Sequence, residues 1–170
     1  MTASRREHVE RVVQLLERWA DDAAVPEKER RRWVNAAFLH DAVKDAPIEW
    51  LREQVEEAWN FDALLHGPAA ANIAGQQGEY DEGVLSAVRY HSVGFAGWER
   101  VGVMLYLGDF LEPGRPLVEP WLAELRDSVP EVPQGALRRV ATLRIRFLID
   151  AGMPLIPETV DFWNALWSEA

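Results

Sequence analysis

The chain contains four histidines, His8, His40, His66 and His91, and no cysteine. His40 is followed directly by Asp41, and Asp109 interrupts the apolar run VGVMLYLGDFLEP. Several of these groups fall on the apolar stripe of a predicted helix. His8 shares its stripe with Val12, Leu15 and Trp19. His40 follows Trp33 and Ala37 at offsets of seven and three, as His91 follows Val84 and Val88. Asp109 follows Val101 and Leu105 at eight and four. A buried carboxylate without a partner costs several kcal/mol or changes its protonation state. Gathering inward imidazoles and carboxylates around a divalent cation satisfies them together. The absence of cysteine excludes disulfides, thiolate sites, iron–sulfur clusters and cysteine nucleophiles. A nitrogen and oxygen ligand set suits iron, manganese or zinc rather than soft copper.

Each residue alone has a plainer reading. A single inward histidine is commonly a hydrogen-bonded core residue, and Asp109 could pair with an arginine. The joint pattern favours a site, because every histidine of the chain falls on an inward or helix-entry position.

Helices must position these groups. Ser4 with Glu7 reads as a capping box opening a first helix through Trp19. Pro26 suits the first turn of a second, running through Trp33 and His40 towards Val43. Asp45 and Pro47 start a third over IEWLREQVEEAW, and Gly67 and Pro68 lead into PAAANIAGQQ. Asp81 opens a fifth helix through His91, and a sixth spans about Trp98 to Leu111. Beyond EPGRP, helices are predicted near WLAELRDSV, from about Gln134 to Ala151, and from Pro157 onward. No alternating β-branched run is bounded by hairpin turns, so a sheet is not expected. The proline-rich stretch Pro113 to Pro133 is too short and apolar to divide two domains.

The 170 residues, 48% apolar with eight Trp, suffice for one domain with its own core. The formal charge of −10 argues against a nucleic-acid partner, and the arginine cluster ERRRW reads as a solvated helix face. A polyanionic ligand would need local cations or a metal. The charged start MTASRREHVERVV is unlike a signal peptide, and no apolar run is long enough to cross a bilayer; a cytoplasmic protein with no membrane partner is expected. GQQG and EPGRP lack phosphate-loop spacing. The aromatic last helix, FWNALW, is core or a homodimer face.

The segments HVERV, FLHDAVKD, LLHGPAAA, VRYHSVG, LYLGDFLEPGR and FLIDAGMPLIPETVDFWN occur in this order. Together they resemble the YqeK-type proteins of the HD-domain phosphohydrolases, symmetrical dinucleoside tetraphosphate hydrolases, from about Glu7 to Trp167. The resemblance implies an all-α, single HD-domain helical bundle over residues 1–170. Its metal-site core would span about 5–115, with helices from about 120 to 170 packed on it. It implies His8, His40, Asp41 and Asp109 as metal ligands, with iron the associated metal. Lys44, Ser92 and Arg115 would contact nucleotide or phosphate. His66 and His91 would face the phosphates or hold a second metal, and Gly152 to Pro157 would line the nucleotide pocket. Ile156 stands where a histidine is frequent.

These residues support a hydrolytic mechanism in which Asp41 holds water or bridges two ions. His66 or His91 would protonate the leaving oxygen. The resemblance places the cut in the middle of diadenosine tetraphosphate, giving two ADP. Two alternatives keep the site: hydrolysis of another nucleotide or phosphoester, and a non-catalytic metal- and nucleotide-binding protein.

Overall fold

The computed structural model describes residues 1–56, 59, 61–115 and 121–168. Apolar residues recur at helical spacing along most of this length, and helices form where they do. In chain order these are α1 (Ala3–Asp22), α2 (Glu27–Leu39), α3 (Ile48–Glu53), α4 (His66–Gln76) and α5 (Glu82–Tyr90), then α6 (Arg100–Leu111), α7 (Trp121–Ser128), α8 (Pro133–Asp150) and α9 (Pro157–Ser168). A 3-10 turn, Asp62–Leu64, precedes α4. Among the described residues there is no strand, and no helix is long and apolar enough to cross a membrane.

The helix α6 sits at the centre. Ten of its twelve residues are buried, so it is apolar on every side rather than along one stripe. It packs against α1, α2, α5, α7 and α8, while α4 leans on α5. The main core joins Leu16 and Trp19 of α1, Trp33 of α2, Val88 of α5, Met104 and Leu107 of α6, Val140 of α8 and Phe162 of α9. Two buried indoles find acceptors, Trp19 Nε1 donating to Arg126 O at 3.0 Å and Trp33 Nε1 to Glu29 Oε1 at 2.8 Å. Phe162 packs edge-on against Trp98 and Tyr106, whereas Trp167 is exposed under Arg138.

Several predicted boundaries move, each for a local reason. The cap of α1 is Thr2, whose Oγ1 accepts from Arg5 N at 3.3 Å, and Ser4 lies inside the helix. Thr2 is itself held, its N–H donating to Asp45 Oδ2 at 2.7 Å. The helix α2 stops at Leu39, short of the predicted Val43. His40 to Ala46 follow in turns closed by bonds such as Lys44 N to Asp41 O, and Pro47 keeps Ala46 out of a helix. The helix α3 stops at Glu53, with Asn72 Nδ2 capping the Gln54 carbonyl at 2.7 Å. Glu57 and Ala58, within the helix expected there, lie outside the described residues. The arginines of ERRRW are paired: Arg30 with Asp21, Arg31 with Glu27, and Arg32 with Glu29, Asp81 and Glu99. Arg32 is largely buried, so this stretch fastens α2 to α5 rather than facing solvent alone.

Candidate metal centre

All four histidines and both aspartates are buried, and they come from five places in the fold. His8 lies on α1, His40 and Asp41 in the turn after α2, His66 at the start of α4, His91 just after α5 and Asp109 near the end of α6.

Three of the imidazoles are fixed in the same way. The Nδ1 of His40 donates to Ala37 O at 2.6 Å, that of His66 to Ala63 O at 2.8 Å, and that of His91 to Val88 O at 2.7 Å. A carbonyl can only accept, so the Nδ1 atoms carry the hydrogens and the neutral rings keep their lone pairs at Nε2. Burial drives His40 down to about 4 and also lowers His66, which keeps both rings neutral. These lone pairs converge, with His66 Nε2 3.0 Å from His91 Nε2 and His40 Nε2 3.3 Å from His8 Nε2.

His8 differs because both its nitrogens face carboxylates. Nδ1 donates to Glu112 Oε1 at 3.1 Å, and Nε2 is 3.2 Å from Asp109 Oδ1. Burial opposes its charge, but the bonds to Asp109 and Glu112 outweigh burial and raise its pKa.

Asp41 stands between the two imidazole pairs. Its Oδ1 is 3.2 Å from His66 Nε2 and 3.5 Å from His91 Nε2, and its Oδ2 is 3.7 Å from His40 Nε2 and 3.8 Å from His8 Nε2. Burial disfavours its charge, and the Arg5 guanidinium and Lys44 ammonium beside it favour that charge. Oδ1 is buried and makes no hydrogen bond of good geometry. A buried carboxylate oxygen facing imidazole lone pairs, with the Lys44 ammonium 3.4 Å away, is a donor set that suits a divalent ion. Two groups of donors lie within 4.8 Å of one another: His8, His40 and Asp41, and Asp41, His66 and His91. The residues thus fit one divalent ion, or two sharing Asp41.

Asp109 belongs to neither group and joins the first through His8. It is held by two arginines. Arg115 Nε donates to Asp109 O at 2.7 Å, and its Nη2 pairs with Oδ1; Arg144 Nη2 donates to Oδ2 at 2.8 Å. Arg115 therefore engages the site through Asp109. Lys44 Nζ lies 3.4 Å from Asp41 Oδ1, and Ser92 Oγ is 3.1 Å from His91 Nε2. From the predicted stretch Gly152 to Pro157, Met153, Pro154 and Ile156 line a cleft with Phe61, Ser92 and Arg144. Ser92 connects that cleft to the imidazoles.

Three participants escaped sequence reasoning. Arg5 Nη1 donates to Asp41 Oδ2 at 2.6 Å. Glu112 is buried, holding His8 and accepting from Arg11 Nε and Gly114 N, each at 2.6 Å. Arg144 reaches in from α8. Arg5 precedes His8 by three residues and Glu112 follows Asp109 by three, a helical-face signal that could have found both. Arg144 carries no local signal, since only the packing of α8 on α6 brings it near.

A model of the HD domain matches residues 5–119. The chain belongs to the HD domain family. Among relatives of this HD-domain chain, a symmetrical bis(5'-nucleosyl)-tetraphosphatase of Halalkalibacterium halodurans is 26% identical, covering 99% of this chain and 92% of that one. The protein of the same name from Bacillus subtilis is 27% identical over 92% of this chain and 83% of its own length. A solved structure from Clostridium acetobutylicum, a predicted HD superfamily hydrolase involved in NAD metabolism, superposes with a TM-score of 0.85 at 27% identity. It covers all of this chain and 92% of that one.

Proposed function

We propose that this chain is a metal-dependent phosphohydrolase that cleaves dinucleoside tetraphosphates symmetrically, converting diadenosine tetraphosphate to two ADP. The observation that carries the reading is Asp41, buried, with Oδ1 facing His66 and His91 and Oδ2 facing His40 and His8. The names of the relatives supply the substrate class.

In this reading His8, His40, Asp41 and Asp109 hold a divalent ion, iron by family resemblance, and His66 and His91 take a second ion or a phosphate. A divalent ion there would acidify a water and draw charge from phosphate oxygens. Hydrolysis adds that water across the central bridge: a P–O bond forms, the bridging P–O bond breaks, and the leaving oxygen gains a proton. Lys44 and Arg5 offer local positive charge beside Asp41, offsetting the acidic total for a polyanion. Arg115 adds a guanidinium at the rim of Asp109. His66 and His91 have their Nδ1 hydrogens committed, so in this reading the proton for the leaving oxygen would be carried on an Nε2. The cleft beside Ser92 is small, about 60 Å³, and its apolar walls would meet the edge of a base rather than enclose a nucleoside.

The test is product analysis of metal-stripped protein incubated with diadenosine tetraphosphate, with and without Mn²⁺ or Fe²⁺. The reading expects ADP alone, and only with metal. AMP with ATP, or equal turnover without metal, would overturn it.

A further inference from the structure

The matched HD region ends at residue 119, yet one side chain beyond it reaches the cluster. Arg144 of α8 is mostly buried and makes three kinds of contact. Its Nη2 donates to Asp109 Oδ2 at 2.8 Å, opposite the oxygen taken by Arg115. Its Nη1 lies 3.4 Å from the carbonyls of both His91 and Ser92. Its guanidinium carbon sits 4.4 Å from the Tyr106 ring centroid and 5.3 Å from that of Phe110. One rigid cation therefore spans α6, which supplies Asp109, and the turn after α5, which supplies His91.

We infer that Arg144 is a positioning residue for the metal centre, setting Asp109 Oδ2 and the His91–Ser92 turn in register so that both donor groups are presented together. The inference rests on the reading of Asp109 as a ligand. The argument is geometric. A carboxylate held by Arg115 alone can still rotate about its side-chain bonds, whereas guanidinium groups on both oxygens fix its plane. The aromatic faces of Tyr106 and Phe110 hold the guanidinium itself in place. A precise site needs such a supporting shell, and losing one member of it costs about 10- to 100-fold in metal affinity or activity. The plainer role for the same contacts is to fasten α8 to α6, which would alter stability and leave the ion unaffected.

Mn²⁺ titration of metal-stripped protein by calorimetry, with thermal unfolding alongside, separates these roles. Arg144→Met keeps part of the aliphatic stem but removes the guanidinium, and with it the charge and the contacts on Tyr106 and Phe110. It should weaken Mn²⁺ binding about tenfold or more, and Arg144→Lys should recover part of that loss. Arg144→Gln, of the same reach as Met but polar, should behave like the Met variant and replaces it if that chain does not fold. Asp109→Asn is measured beside them. Weak binding in Asp109→Asn with parental binding in the Arg144 variants would overturn the role of Arg144, whatever their melting temperatures. Parental binding in all of them would overturn the ligand reading of Asp109, and Arg144 with it. Neither outcome depends on which nucleotide is cleaved.

Discussion

His66 and His91 meet Nε2 to Nε2 at 3.0 Å, each with its Nδ1 hydrogen committed to a carbonyl three residues upstream. Two neutral imidazoles in that posture repel through their lone pairs unless something positive lies nearby. The helices that hold them there make no allowance for separation, and this closeness of α4 and α5 can be tested.

Gly67, next to His66, lies where a Cβ would stand 2.6 Å from Arg89 O and 3.1 Å from Val88 O. Those are backbone atoms and cannot rotate away, so Gly67→Ala must push α4 off α5. Overpacking of this kind costs about 1–3 kcal/mol. The displacement also moves His66 relative to His91, so urea unfolding and Mn²⁺ affinity should both worsen. A variant less stable but with parental affinity would contradict the link between this contact and the site.

Glu112 is the carboxylate that orients His8. Glu112→Gln keeps the shape and removes the charge, so the ring loses one of the two groups that raise its pKa. About a tenfold loss of metal affinity is expected, as for other outer partners of a metal-binding histidine. Glu112→Ala also strands Arg11 and should cost a further ~1–3 kcal/mol in stability. Calorimetry and thermal unfolding of the two variants check the division.

Asp81 caps α5 and clasps Arg32. Its Oδ1 accepts from Val84 N at 3.1 Å, and its oxygens take Arg32 Nε and Nη2 at 2.8 and 2.9 Å. Asp81→Ala should destabilise by about 1–2 kcal/mol through the cap alone. The Arg32 bond holds the carboxyl below its ordinary value. Its folded pKa is thus depressed from an unfolded value of about 3.9. The linked stability is complete above that value and is lost as pH falls towards the folded pKa. Asp81→Asn should therefore show a shallower acid loss than the parent in urea unfolding between about pH 5 and pH 2. Parallel curves would contradict it.

The helical register was legible because it rests on local chemistry: the stripe of Val12, Leu15 and Trp19 faces inward with His8, and Asp81 caps the helix it was expected to open. Helix ends were less legible: Thr2 caps α1 locally while its own N–H is held by the distant Asp45, and Asn72 reaches from α4 to the end of α3. The inward pointing of His8, His40, His91 and Asp109 was readable from spacing, and the HD-family motifs added His66 and Asp41. What sequence could not show was tertiary. The two arginines on Asp109 come from a loop and from α8, and nothing local at Arg144 announces its reach. Glu112, to which the sequence reading gave no role, is a buried partner of His8.

The central claim is that the cluster exists to hold a divalent ion through Asp41. Mn²⁺ stoichiometry and affinity, measured on stripped and reloaded parent and on Asp41→Asn, test it most directly. Asparagine keeps the size of the side chain and removes the charge shared by both histidine pairs. The account predicts at least one tightly held Mn²⁺ per chain in the parent and background binding in Asp41→Asn. A parent that binds no ion, or an Asp41→Asn variant that binds it as tightly as the parent, would contradict the account.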